Sequence, residues 1–327
     1  MPSTGIGKTV TGAAVARAPV VRLWFDRIVW VTLGQTPIIS KLQSLAYQQL
    51  TGSDLKDSLT VAEKEAAMTA AMESDRILLV LDDLWNGEDE DHFNFLPAVG
   101  AGSDDCTGSR VLISTRVRGL LKPDRPGGVA AVEVGLPSVP EAVRIVLNAA
   151  DMGGRAAPTE AVEIADICGR LPLALRLAGR LISSLGLGQD WRGVPDLLKT
   201  ELAEGESMSA EISATITIRA SVAAIAGSPS EVANVKNLFR LFGLIPEDTI
   251  APLDVLLLLF EAVAGTKTTV LHIRKWIKIL LDRCLVLGHV DRPQLHVRWL
   301  FKLKYTTRTR NRNNVEHDTT RSFTAWF

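Results

Sequence analysis

The chain has 327 residues, 46% of them apolar, and a formal net charge of -1, which excludes a disordered chain and predicts two or three packed domains. Its densest apolar run, Val255–Phe260, is far shorter than the ~20 residues of a membrane-spanning helix, so we expect a buried helix and no membrane contact. No basic and apolar leader precedes residue 5, so we expect no secretory signal. The three cysteines lie far apart, without the paired spacing of a zinc site or a disulfide framework, which favours a reducing, cytoplasmic setting.

Up to about residue 135, short β-branched runs alternate with helical patterns, which predicts an α/β fold with a parallel sheet covered on both faces. The predicted strands are continuous apolar runs, as strands buried on both faces are. They are Arg27–Leu33, Ile77–Leu81, Val111–Ser114 and Val129–Val134. The predicted helices between them are Val10–Ala18, Ile38–Leu50 and Val61–Glu73.

After residue 138 the strand signal nearly vanishes. Helical spacing predicts a small bundle formed by Glu141–Ala150, Thr159–Cys168, Leu173–Leu185 and Val194–Ala203. Between Glu231 and Val297, three more helical patterns precede a hairpin-like pair, Cys284–His289 and Gln294–Val297, which predicts a winged helix. The expected domains are therefore residues 1–136, 137–205 and 206–297. They are followed by a basic tail, 298–327, which has no assignable element and which we expect to be disordered or foreign.

The segment GIGKT immediately precedes a helical pattern, which is typical of a phosphate-binding loop. Backbone N–H groups at the helix start would face a phosphate, Lys8 would add a positive charge, and the Thr9 hydroxyl would bind Mg²⁺. The complete pattern, GxxxxGK[ST], begins with a glycine where this chain has Pro2. The alternative interpretation is a glycine turn before a helix that happens to contain Lys and Thr. The predicted nucleotide-binding residues here are Gly5, Ile6, Gly7, Lys8, Thr9 and Val10.

Two acids, Asp82 and Asp83, end the predicted strand that begins at Ile77. Open parallel sheets bind ligands at the carboxyl ends of their strands, so we expect Asp82 to hold Mg²⁺ and Asp83 to orient a water molecule as the catalytic residue. A solvated turn after a strand is the alternative. The order of phosphate loop, intervening strand and acid-tipped strand favours a P-loop NTPase with an inserted strand.

The run GSRVLISTR, residues 108–116, predicts a strand that delivers Arg116 to the same edge of the sheet. Arg116 could there sense a γ-phosphate. The alternative is a surface arginine that follows a strand.

These segments together resemble the NB-ARC domain, the nucleotide switch of plant disease-resistance receptors and of the apoptotic protease activating factor, within the signalling ATPases called STAND. The motifs that carry the resemblance are, in chain order, GIGKT, RIVWVTLGQ (27–35), LLVLDDLW (78–85), GSRVLISTR, VEVGLPSVPEAVRIV (132–146), GRLPLALRLAG (169–179), FRLFGLIPEDTIAPLDVLLLLF (239–260) and LHV (295–297). The resemblance implies a P-loop sheet, a helical bundle and a winged helix that together bind ATP or ADP with Mg²⁺.

The resemblance also implies two nucleotide contacts after the sheet. Pro172, in GRLPL, would rest against the adenine and ribose, although a proline in the first turn of a helix needs no ligand. In the family a Met-His-Asp motif closes the winged helix, and its histidine touches the β-phosphate of ADP. Here His296 matches that histidine, whereas Val297 replaces the acid, a change that implies a weakened inhibited state. A lone histidine with an ordinary structural role is the alternative.

In the family a strand inside the sheet precedes the phosphate loop, and this chain has no segment for it. We therefore expect the strands beside the missing one to keep unpaired backbone N–H and C=O groups, each costing about 1–3 kcal/mol. We interpret the chain as N-terminally truncated. Nothing after Val297 resembles the family's following helices, and no repeat of 20–50 residues is visible. Protein partners would therefore be bound through regions absent from this chain.

The function implied by the resemblance is a regulatory switch in a defence or cell-death-like response. ADP would hold a closed state, ATP would release the winged helix and permit homo-oligomerisation, and ATP hydrolysis would at most be slow. One rival is a STAND-type transcriptional regulator that reads DNA with the helix His272–Leu281, but its aliphatic residues and the lack of a basic stripe do not favour nucleic acid. The other is a scaffold or degenerate fragment that binds no nucleotide.

Overall fold

The computed structural model describes residues 5–56, 58–73, 75–95, 108–121, 128–201, 210–245, 252–286, 302–305 and 323–326. The chain divides into two compact units. The first contains Met1–Ser3 and Gly7–Val134, and the second contains Thr4–Ile6 and Gly135–Phe327. The expected boundaries at residues 136 and 205 stay predictions.

The first unit alternates helices and strands in the predicted order. Its helices are α1 (Lys8–Arg17), α2 (Pro19–Trp24), α3 (Ile39–Thr51), α4 (Val61–Met72) and α5 (Glu88–Asp91). Its strands are β1 (Arg27–Gly34), β2 (Ile77–Leu84) and β3 (Arg110–Thr115). The start of α4 carries a capping box, in which Thr60 and Glu63 satisfy each other's backbone N–H groups.

The three strands form one parallel sheet in the order β1-β2-β3, so β2 lies in the middle. Alternate residues of β2 enter two different apolar clusters. Leu79 and Leu81 pack on the side of α3 and α4, whereas Leu78 and Val80 pack with Ala16 of α1. Both faces of β2 are therefore covered, which confirms the predicted parallel sheet between helical layers and explains why this strand is an uninterrupted apolar run.

Two expectations about the sheet are wrong. Residues 129–134 form no strand, and Val132 is 86% exposed, so this β-branched run has no neighbouring strand to pair with. The expected gap beside the central strand is also not found in the described sheet, because β2 pairs directly with β1 from Arg27↔Ile77 and with β3 from Leu78↔Arg110.

The second unit is helical over most of its described length. Its elements are α6 (Val139–Ala149), α7 (Ala161–Ile167), α8 (Pro172–Leu185), α9 (Val194–Thr200), α10 (Ala210–Ala223), α11 (Pro229–Phe242), α12 (Leu253–Ala264) and α13 (Val270–Asp282), followed by strands β4 (Lys302–Tyr305) and β5 (Phe323–Trp326). The helices predicted from apolar spacing are all present, with shifted ends.

Two apolar clusters organise these helices. The first is built mainly from α6 to α10, and α8 lies close to α6 because Gly179 leaves room there. A Cβ atom at Gly179 would come within 2.5 Å of the Val146 carbonyl oxygen. The second cluster is built mainly from α11 to α13 around Phe242, Phe260 and Trp276. The buried Arg283 joins the clusters by donating to backbone carbonyls at the end of α10, which satisfies helix acceptors that have no partner within the helix.

The end of the chain differs from the prediction. The tail was expected to contain no element, whereas β4 and β5 form an antiparallel pair, with Lys302 opposite Trp326. The predicted strand that starts at Cys284 begins instead as a turn over residues 284–286, and the rest of that hairpin lies outside the described residues. The winged helix therefore stays a prediction, supported so far by its three helices.

None of the described helices combines the length and the apolar character needed to cross a membrane. Val255–Phe260 instead lies within α12, where Leu256 and Phe260 are buried.

Candidate functional site

The start of α1 is an uncapped helix N-terminus. Gly7 precedes the helix with a φ of 100°, a left-handed conformation that favours glycine, and no side chain accepts from the first N–H groups of the helix. The first turn also contains no acidic residue. N–H groups of this kind, together with the positive end of the helix dipole, form a binding site for an anion such as phosphate.

The Thr9 side chain contacts the acid-tipped strand. Its hydroxyl donates to Asp82 Oδ1 at 2.9 Å, and Ser114 Oγ at the end of β3 donates to the same oxygen at 2.6 Å. Asp82 is 2% exposed, so this carboxylate is buried and held by two hydroxyl groups. The sequence therefore brings the predicted metal ligands, Thr9 and Asp82, to one point between α1 and β2.

The end of β2 is irregular at Asp83. The pairing of β2 with β3 shifts between Leu81 and Leu84, and Asp83 has a φ of 56°. Such an irregularity redirects side chains, so neighbouring acids need not point to opposite faces of the sheet. The Asp83 backbone N–H donates to Ser114 Oγ at 3.0 Å, and Arg116 Nε donates to Asp83 Oδ1 at 3.2 Å.

Lys8 lies in the electrostatic field of these groups. Burial lowers the pKa of the Lys8 ammonium, and the nearby Arg116 guanidinium lowers it further, while Asp83 and Asp82 act in the opposite direction. Two cations and two carboxylates therefore converge at the start of α1. A polyphosphate with a divalent cation has the complementary charges, since its oxygens would face Lys8 and Arg116 and its cation would face Asp82.

The chemistry of the oxygen donors fits Mg²⁺. This cation prefers oxygen ligands and usually keeps several waters, so it is commonly bound through one or two carboxylates together with phosphates of the substrate. Thr9 Oγ1 and Asp82 Oδ1 are oxygen donors of this kind. No cluster of three His, Cys, Asp or Glu side chains occurs in the described part of the chain, so those residues offer no all-protein metal cage.

Two residues of this site were not predicted from the sequence. Ser114 bridges Asp82 and Asp83, and Trp85 has its ring centroid 5.2 Å from Cζ of Arg116. Ser114 could have been recognised because parallel strands deliver their carboxyl ends to the same edge, and it ends the strand beside the acids. Nothing in the sequence pattern distinguishes Trp85 from an ordinary core aromatic residue.

The other predicted site residues lie in the second unit, in α1 or outside the described residues. Pro172 is in the first turn of α8, as the ligand-free interpretation also expects. Gly5 has a φ of 84°, and a Cβ atom there would lie 3.1 Å from Leu171 Cδ2, so a larger residue would be crowded. Ile6 also belongs to this unit. Val10 lies in α1 and is 71% exposed, whereas Pro2 and His296 lie outside the described residues.

Part of this chain is similar to a known protein family and to several curated proteins. The NB-ARC domain family matches residues 2–125. Among proteins of Arabidopsis thaliana, one named as a disease resistance protein is 24% identical over 230 residues, or 63% of this chain and 24% of the relative. The disease resistance protein UNI is 26% identical over 196 residues, or 58% of this chain and 21% of the relative.

A third relative from the same plant, the probable disease resistance protein RXW24L, is 24% identical over 216 residues, or 62% of this chain and 23% of the relative. The chain thus spans about a quarter of the length of the curated relatives it matches. Residues 2–125 of this chain thus match the NB-ARC domain family, and the relatives to which the chain is similar are proteins named for disease resistance.

Proposed function

We propose that this chain binds ATP or ADP with Mg²⁺ and acts as a nucleotide-dependent switch in a plant defence response. The observation that carries the proposal is the contact between Thr9 and Asp82, because it brings an uncapped helix N-terminus and a buried carboxylate to the same point. The match of residues 2–125 to the NB-ARC domain supports a nucleotide as the anion.

In this proposal each residue has a distinct task. The N–H groups at the start of α1 and the Lys8 ammonium bind the phosphates, while Thr9 and Asp82 hold Mg²⁺. When bound, Mg²⁺ neutralises phosphate charge and orients the phosphate chain. Ser114 keeps the Asp82 carboxylate in place, since its hydroxyl donates to the oxygen that Thr9 also contacts.

Arg116 and Asp83 would distinguish the nucleotide states. Arg116 lies beside Asp83 and close enough to Lys8 to affect its pKa, so a terminal phosphate bound by Lys8 would also attract Arg116. Asp83 would orient the attacking water and accept its proton, which gives slow hydrolysis that resets the switch. ATP and ADP then favour different conformations because they make different contacts with the protein. Pro172 and His296 would be further nucleotide contacts, and the ATP-bound state would form oligomers.

The nucleotide that the purified chain retains tests the proposal. The full chain, purified without added nucleotide, would be denatured, and the released small molecules would be separated by chromatography. We expect ADP or ATP from the wild type and none from Lys8→Ala. Lys41→Ala serves as the control, because it removes an exposed lysine of α3 and should retain the nucleotide. Equal nucleotide content in wild type and Lys8→Ala would refute the assignment of the phosphate loop.

A further inference from the structure

Trp85 immediately follows β2 and lies against the proposed phosphate sensor. The Arg116 Cζ atom is 5.2 Å from the centroid of the Trp85 ring. A guanidinium over an indole is attracted to the negative face of the ring, and Trp gives the strongest contact of this kind among the aromatic side chains. The ring therefore stabilises Arg116 in this position.

Arg116 is held from a second direction by Asp83. The Nε of Arg116 donates to Asp83 Oδ1 at 3.2 Å, and the two side chains are 27% and 23% exposed, so the pair is largely shielded from water. One contact joins the guanidinium to a carboxylate through Nε, and the other joins it to an aromatic ring. Together they restrict the group from two directions, which a single ion pair does not do.

The indole of Trp85 is not fixed by a hydrogen bond of its own. Its Nε1 atom is buried and has no acceptor among the described residues, although buried donors almost always have one. The Trp85 ring instead contacts a charged group, the guanidinium of Arg116.

We infer that Trp85 is a positioning residue for nucleotide discrimination, which acts by holding the Arg116 guanidinium where it meets the terminal phosphate of a nucleoside triphosphate. This inference rests on the proposed nucleotide function. A nucleoside diphosphate lacks the phosphate that Arg116 would contact, so Trp85 should affect the binding of the triphosphate much more than that of the diphosphate. A tryptophan that only filled space would affect both ligands alike.

Substitutions at Trp85 separate these two roles. Trp85→Leu removes the aromatic face, whereas Trp85→Phe keeps an aromatic face and removes the indole N–H. Each variant of the full chain, freed of retained nucleotide, would be titrated with Mg²⁺ and either ADP or a non-hydrolysable ATP analogue. We expect Trp85→Leu to weaken the ATP analogue about 5-fold and ADP less than about 2-fold, and Trp85→Phe to recover most of the difference.

Trp24→Leu is the matched control, because Trp24 ends α2 in the same unit and is 56% exposed. Its affinities for both nucleotides should equal those of the wild type. Equal losses for both nucleotides in Trp85→Leu, no loss for either, or a Phe variant no better than the Leu variant would overturn the inference while leaving the proposed function intact. A wild type that binds neither nucleotide would overturn both.

Discussion

The Thr9 hydroxyl lies 2.9 Å from Asp82 Oδ1, although 73 residues separate the two in the chain. Thr9 is in the first turn of α1, and Asp82 is near the end of the central strand β2. Because a helix start and a strand end are both rigid, the two oxygen atoms are held in a fixed relation before any ligand binds. Their pairing is the geometric basis of the proposed Mg²⁺ site.

This pairing predicts a specific effect of Thr9 substitutions. Thr9→Val keeps the shape of the side chain and removes its hydroxyl, so the increase in nucleotide affinity caused by Mg²⁺ should fall about 10-fold. Thr9→Ser keeps the hydroxyl and should behave like the wild type. The measurement is ADP affinity with Mg²⁺ and with a chelator. A Val variant with an undiminished response to Mg²⁺ would exclude Thr9 as a ligand.

Asp83 is predicted to act in hydrolysis more than in binding. Asp83→Asn removes the carboxylate that would accept a proton from water, so phosphate release should slow about 100-fold. The affinity for ADP should change less than about 3-fold, because Asp82 and Lys8 are kept. Glu88→Gln, at an exposed acid of α5, is the control. Phosphate release from the Asn variant at the wild-type rate would rule out this role.

Cys168 tests the packing of the second unit. Burial raises the pKa of its thiol to about 12, and the side chain lies in the cluster formed by α6 to α10. The reactive thiolate is therefore scarce at pH 8, and the site is closed to reagents. Mass spectrometry after alkylation at pH 8 should find Cys168 unmodified in the native chain and modified after denaturation. Rapid native labelling would contradict the packing described for this cluster.

The stability of the first unit should depend strongly on the central strand. Leu79 is fully buried, at 0% exposure, on the face of β2 that packs against α3 and α4. Leu79→Ala should lower the free energy of unfolding by about 2–5 kcal/mol, because it removes buried apolar surface and leaves a cavity. Leu45→Ala, at a residue of α3 that is 44% exposed, should cost less than about 1 kcal/mol. Urea denaturation monitored by circular dichroism measures both values.

Much of the sheet could be predicted because its strands are buried on both faces. A run such as Ile77–Leu81 has no polar residue, and parallel strands meet their ligands at one edge, so the location of Asp82 followed from order alone. The strand predicted at residues 129–134 was wrong because β-branched residues favour a strand but do not determine one. A strand also needs a neighbouring strand whose backbone N–H and C=O groups are available for pairing, and the sequence does not reveal such a neighbour.

Other features depended on contacts between distant segments. Helix α10 was not predicted, since the β-branched residues Ile216, Thr217 and Ile218 favour a strand, yet its packing against α8 stabilises a helix. The role of Ser114 depends on the shifted register of β3 against β2, and that of Trp85 on the position of Arg116. None of these relations has a local signal in the sequence.

Helix α13 was the segment considered for DNA recognition. Its buried face contains Ile273, Trp276 and Ile277, which pack into the second apolar cluster. Of its basic residues, Lys275 forms an ion pair with Glu231 of α11, 2.6 Å away. These contacts agree with the packing role that its aliphatic residues indicate, and they add no support for a DNA-reading helix.

The proposed phosphate site is tested most directly by a calorimetric titration with ADP and Mg²⁺ of the full chain from which retained nucleotide has been removed. We expect one binding site in the wild type and an affinity about 10- to 100-fold lower in Lys8→Ala, because the lysine supplies a charge-assisted hydrogen bond to phosphate. Lys41→Ala should bind like the wild type. A folded wild-type chain that takes up no nucleotide, or a Lys8→Ala variant that binds as tightly as the wild type, would contradict the proposed phosphate site.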